Sequence, residues 1–235
     1  MSVDPQTNIN FISLDEKLDI IRKIESRDIL EEEGLNILRA LIKDEIDEIR
    51  WTIAETLVTF EPNETIKDLL KSLSLDRNYL VRTNACDSMC IFNEIDIIYW
   101  LEQIIKKDRS ELVRGYAALS ISDISHNMGL KNDGSVELLK QKLKTEKSEW
   151  TKINYYSSLF KLGEKQYLPL LLNELNNRSY RNRCAVVNSI AGLIDCELID
   201  NIEVISNMLQ EKLSVETTIA VKSTINKLLG KINCK

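Results

Sequence analysis

From Leu14 onward apolar residues return every three or four positions, the period of a helix with one face turned to a core. Leu14, Leu18, Ile20, Ile21 and Ile24 form the first such stripe. Their polar companions Asp15, Glu16, Lys17, Asp19 and Lys23 read as the outward face of a helix that closes one end of an array. Residues 1–13 read as a flexible tail. From about Ile29 the pattern predicts six antiparallel helix pairs, at 29–43 with 47–60, 64–74 with 78–92, 95–107 with 110–126, 135–146 with 148–162, 165–176 with 179–194, and 200–212 with 214–231. The longest turn signal is NMGLKNDG, residues 127–134.

One phrase ties the pairs together. DRNYLVRTNA, Asp76 to Ala85, returns as DRSELVRGYA, Asp108 to Ala117, with six of ten positions identical and a spacing of 32 residues. A period of that size is the mark of a stacked repeat. Weaker copies place Asp44, Glu146, Asn176 and Glu211 in the acidic slot, with Arg50, Lys152, Asn182 and Thr217 six residues later. Asn78, Ser110 and Ser148, with Asp47, Ser179 and Ser214 in the other pairs, stand where a second helix needs an oxygen to accept an orphan N–H. The preceding acid lies near the positive end of that helix and within reach of an arginine from its own or the adjacent repeat.

Composition agrees with a helix-rich folded chain of 235 residues: 43% hydrophobic positions, 7 Gly and 3 Pro. No apolar run approaches the roughly 18–20 residues needed to cross a bilayer, and MSVDPQTNIN lacks the features of a signal peptide, so no membrane association and a cytoplasmic location are expected. Five cysteines without paired spacing read as packing residues in a reducing compartment. The net charge of −6 is uneven, with −9 carried by residues 1–64 and +3 by the remainder.

Asp76, Val81, Arg82 and Ala85, together with Asp108, Val113, Arg114, Ala117 and Ala118, resemble the HEAT-repeat family, and Asp44, Ile49, Arg50 and Ala54 do so approximately. Repeats of that family are two antiparallel helices with an Asp in the internal turn and a Val-Arg followed by Ala in the second helix. The resemblance implies an all-α, right-handed alpha-alpha superhelix, a HEAT-like solenoid of about six helix pairs behind an N-terminal capping helix, forming a single domain over 14–235. It implies that second helices line a concave surface, and that the protein belongs with arrays that mostly bind other proteins.

Counted from the Arg slot at 100° per residue, offsets 2, 5 and 9 point away from the core. They read Thr52, Glu55, Thr59; Asn84, Asp87, Ile91; Tyr116, Leu119, Asp123; and Asn154, Ser157, Lys161. Glu55, Asp87 and Asp123 with Asn84, Tyr116 and Asn154 would make an acidic, amide-rich trough for a basic protein partner, and Lys161 completes the expected set of seven partner-binding residues. Offset 6, small and polar throughout (Thr56, Ser88, Ser120, Ser158, Asn188, Ser223), flanks the core and reads as close helix packing. Arg178, Arg181 and Arg183, with Lys147 and Lys152, offer a basic cluster, but a chain of pI near 5.1 without a glycine-rich anion loop fits nucleic acid badly. Trp51, Trp100 and Trp150 read as core or interface anchors.

His126 is the only histidine, so neither a Ser-His-Asp triad nor a multi-His metal site can be assembled. The repeated His-Glu pairs of HEAT-like hydroxylases and the basic, aromatic groove of HEAT-like DNA glycosylases are missing as well. The sequence therefore predicts a non-catalytic protein-binding array without a cofactor, such as a cytosolic inhibitor or immunity protein of a cationic toxin. The alternatives are a nucleic-acid-binding or base-modifying protein that uses the basic later repeats, and a lyase-type chromophore chaperone.

Overall fold

A computed structural model describes residues 13–234. Among them are thirteen α-helices and no strand: α1 (Leu14–Glu25), α2 (Glu31–Leu41), α3 (Asp47–Thr56), α4 (Glu64–Leu73), α5 (Tyr79–Ser88), α6 (Ile95–Lys107), α7 (Glu111–Asn127), α8 (Asp133–Leu143), α9 (Glu149–Lys161), α10 (Tyr167–Asn173), α11 (Tyr180–Asp195), α12 (Ile202–Val215) and α13 (Ile219–Asn233). These are the six predicted pairs and the leading helix. The predicted tail lies, apart from Ser13, outside the described residues. The chain groups into two compact units, residues 1–120 and 121–235.

In the first unit the second helices α3 and α5 lie side by side, and α1 packs on α3 in the same manner. Ile21, Leu38, Ile49, Ile53, Leu57, Leu70, Val81 and Ala85 are fully buried between them and the first helices. Helix α1 therefore takes the place of a second helix, and this corrects one expectation. Lys17 does not face outward. It is buried and donates to Asp44 Oδ2 at 2.5 Å, as the arginines do further along. Its neighbours Asp15, Glu16, Asp19 and Lys23 are exposed as expected, and Ser13 and Glu16 close the helix start with a capping box.

The second unit repeats the plan. Helices α9, α11 and α13 run side by side, and Ile153, Val187, Ile190, Leu193, Leu209 and Ile225 centre its core.

The repeated phrase has a definite structure. The acid or amide in each turn accepts the backbone N–H two residues on: Ile46 N at 2.9 Å from Asp44, Asn78 N at 2.7 Å from Asp76, Ser110 N at 2.8 Å from Asp108 and Ser148 N at 3.0 Å from Glu146. The arginine six residues later turns Nη1 back to its own turn, Arg50 to the Asp44 carbonyl at 2.6 Å and Arg82 to that of Asp76 at 2.9 Å. Its other face forks onto the acid of the next repeat: Arg50 Nε and Nη2 reach Asp76 at 2.7 and 3.0 Å, and Arg82 reaches Asp108 at 2.7 and 2.9 Å. Five donors in a planar fork allow one side chain to do both. With both side chains largely buried, removal of either partner leaves a charge uncompensated, at a cost of about 3–5 kcal/mol.

The fifth and sixth repeats differ from the expected frame. The slot residues are Asn177 and Arg183, not Asn176 and Asn182, and then Glu216, not Glu211 and Thr217. Ser179 N donates to Asn177 Oδ1 at 2.9 Å, and Arg183 forks onto Glu216 with both distances 2.8 Å. Two start residues also shift. Ile46, not Asp47, is the N-cap of α3, and Ser214 lies inside α12, with Thr218 the N-cap of its successor α13. The long α12 carries the acidic slot five residues, and the start residue four residues, past their predicted places.

Candidate functional site

In the first unit, adjacent second helices are held by small hydroxyls at offset 6. Ser88 Oγ donates to the Ala54 carbonyl, and Ser120 Oγ to that of Cys86, each at 2.8 Å. Thr56, Ser88, Ser120 and Ser158 are buried, and this part of the column is packing, as its position implies, whereas Asn188 and Ser223 are exposed because the frame has moved by then. In the first unit the column fixes the height at which the outward residues meet. Asn84 on α5 thereby comes to face Glu55 on α3, and its Nδ2 donates to Glu55 Oε1 at 3.0 Å. Asp87, one turn further along α5, is exposed, and Tyr116 on α7 is half-buried. Four of the predicted residues are thus gathered on the second-helix face of the first unit.

The electrostatics of this face are those of accumulated negative charge. Partial burial pushes the Glu55 carboxyl above its ordinary range, the Glu25 carboxylate adds to the effect, and the Asn84 amide works against it. Burial, then Asp87, raises the Tyr116 phenol. Glu25, at the end of α1, acts on Glu55 through its charge and was missed in the sequence. The signal that would have found it is the second-helix position of α1, which the Lys17–Asp44 pair reveals.

The other three predicted residues lie in the second unit and do not extend a free acidic surface. Asp123 is ion-paired with Lys161, whose Nζ also lies 3.3 Å from Cys196 Sγ. Burial works against the Lys161 ammonium, but the Asp123 carboxylate outweighs it and holds the lysine above its usual range. Asn154 and Ser157 are 3% and 4% exposed, not outward as expected. Asn154 folds back to donate to the Trp150 carbonyl at 3.0 Å, and α11 runs alongside at a separation these short side chains permit. The basic cluster also shrinks, because Arg183 is committed to Glu216 while Arg181 lies against the ring of its neighbour Tyr180 at 5.9 Å. Trp51, Trp100 and Trp150 are half-buried, and His126 sits in the last turn of α7. Among the described residues no helix is long and apolar enough to cross a membrane.

No family model matches the sequence, and no curated protein matches it either. Solved structures do resemble it in fold. The X-ray structure of YibA from E. coli is similar with a TM-score of 0.55 and 17% identity, over 95% of this chain and 80% of that one. A structure of the complex of CpcE and CpcF of phycocyanin lyase from Nostoc sp. is similar with a TM-score of 0.58 and 16% identity, over 99% of this chain and 96% of that chain. Together with the helix pairs described above, these likenesses establish an all-α fold of the helical-solenoid class.

The second likeness corrects the expectation of a protein without enzymatic activity. The same fold, matched nearly end to end, serves in that structure in a lyase. The lone His126 argues only against catalysts of the triad and multi-His metal kinds.

Proposed function

We propose that this chain is a HEAT-repeat protein that grips a protein client on the acidic second-helix face of its first unit and acts on that client as a lyase-type chromophore chaperone. The observation that carries the reading is the extent of the likeness to the phycocyanin lyase complex, 99% of this chain against 96% of the other, so that whole arrays correspond and not a shared fragment. Glu55 supports the location. Its ionised form is disfavoured by burial and by Glu25, which suits a group that meets a cationic partner.

A second reading keeps the face and drops the chromophore: an inhibitor of the immunity-protein kind that covers a cationic toxin domain. The charge of the first unit favours it, since residues 1–120 carry 24 acidic and 15 basic side chains. The nucleic-acid reading loses support with the commitment of Arg183 to Glu216.

Affinity capture with the tagged full-length chain from native extract, read by mass spectrometry and by the visible absorption of the eluate, separates these readings. A captured client that carries a pigment is the expected result. A colourless, cationic toxin domain would replace the first reading with the second. Identical captures by wild type and a Glu55→Lys/Asp87→Lys variant would remove the acidic face from both.

A further inference from the structure

On the turn side of the first unit, between its second and third helix pairs, lies a groove of about 540 Å³, within the range of small-molecule sites. Its apolar surface comes from Trp100, Ile104 and Leu75, and Leu75 is 67% exposed at the lip. The indole is fixed in advance. Trp100 Nε1 donates to Ser74 Oγ at 3.0 Å, the buried Ser74 donates in turn to the Lys71 carbonyl at 2.7 Å, and Lys71 Nζ sits 5.4 Å from the ring centroid. A rigid aromatic wall loses little entropy when a flat molecule is laid against it.

The charge of the groove is opposite to that of its unit. Its two carboxylates, Asp76 and Asp108, are held by Arg50 and Arg82. Lys107 and Arg109 at the rim are exposed, and neither has a carboxylate partner among the described residues.

The repeat supplies its own control. One pair earlier, the equivalent groove measures about 340 Å³ and is lined by charged and polar residues such as Asp44, Arg50, Ser72 and Arg77, with Ile42 and Leu73 but no aromatic ring. At the 32-residue period Leu75 corresponds to Lys43, Ile104 to Ser72 and Trp100 to Asp68. Stacking of helix pairs therefore does not require an aromatic wall, or apolar residues at these three positions.

We propose that this groove binds a small organic anion with a flat, apolar body, its ring system against Trp100 and its acid group toward Lys107 and Arg109. The site is independent of the acidic face and of the reading given above. Anilinonaphthalene sulfonate, an anionic flat dye, and its uncharged relative N-phenylnaphthylamine test it by fluorescence titration of the full chain. The sulfonate is expected to bind at one site, with affinity that falls as salt is raised, while the neutral dye is insensitive to salt. Lys107→Glu/Arg109→Glu should weaken the sulfonate about ten-fold or more and the neutral dye less than about two-fold. Leu75→Lys, which copies the earlier groove, should weaken the neutral dye. All three positions are exposed, and thermal melts of the variants verify the fold. Equal binding of the sulfonate by wild type and the double variant, or affinity for it independent of salt in the wild type, would overturn the proposal.

Discussion

Glu216 shows what a single side chain contributes to this array. It is almost wholly enclosed, Arg183 forks onto both of its oxygens, and the backbone N–H groups of Thr217 and Thr218 donate to Oε1 at 3.0 and 2.9 Å. The Arg183 hydrogen bonds are the largest cause of a carboxyl pKa held at about 2 against an ordinary 4.5. The folded-state value lies below the unfolded one, so the stabilisation is complete above about pH 4.5 and is lost as pH falls through about 2. Asp76 adds to the same trend: burial pushes it up, but Arg50 and the Asn78 N–H prevail and leave it below its usual range. Thermal melts between about pH 5 and about pH 2 should show a falling Tm. Glu216→Gln keeps the shape but cannot ionise, so its Tm should be lower at neutral pH and should fall less over that interval. Parallel curves for the two proteins would assign the acid sensitivity to other groups.

At the scale of the helices, spacing is set by the small column at offset 6. Ser88 is 6% exposed and Ser120 1%, and each hydroxyl reaches a carbonyl of the preceding second helix. Ser88→Ala removes one hydrogen bond whose acceptor keeps its place in a helix, and should cost only about 1 kcal/mol. Ser88→Val forces two methyl groups into the contact between α3 and α5 and should cost about 1–3 kcal/mol. Urea unfolding measures both, and a larger loss for alanine than for valine would mean that bonding, not closeness, sets the spacing. Much at this scale was legible in the sequence, because a 32-residue period with Asp and Arg at fixed places constrains each of the first three pairs in the same way. The frame slipped later for a physical reason. Helix α10 spans 7 residues, contains Pro169 and ends in a 3-10 turn, whereas α12 spans 14, so the acidic slot moved to Asn177 and then to Glu216. The burial of Asn154 was not legible either. Angular offsets show where a side chain leaves its own helix, not how near the next helix stands. The pairing of Asp123 with Lys161, across 38 residues, likewise belongs to packing and not to pattern.

On the scale of the molecule, charge divides with the two units: 24 acids against 15 bases up to Ser120, and 13 against 16 from Ile121. A surplus of one sign over one unit acts mainly on encounter rates, which such fields raise by about 10- to 1,000-fold at low ionic strength. Of the three carboxylates first assigned to the partner surface, Asp123 is already neutralised by Lys161. Glu55 meets an amide, not a cation, and Asp87 is exposed. Stopped-flow association with the client captured by the tagged chain should therefore respond unequally to the three. Glu55→Lys/Asp87→Lys should slow association by roughly ten-fold or more at low salt and flatten its dependence on ionic strength. Asp123→Asn should leave the association rate unchanged and instead lower the Tm, since Lys161 would lose the carboxylate that offsets its burial. If Asp123→Asn slowed association as much as the double reversal does, the partner surface would have to be redrawn around the second unit.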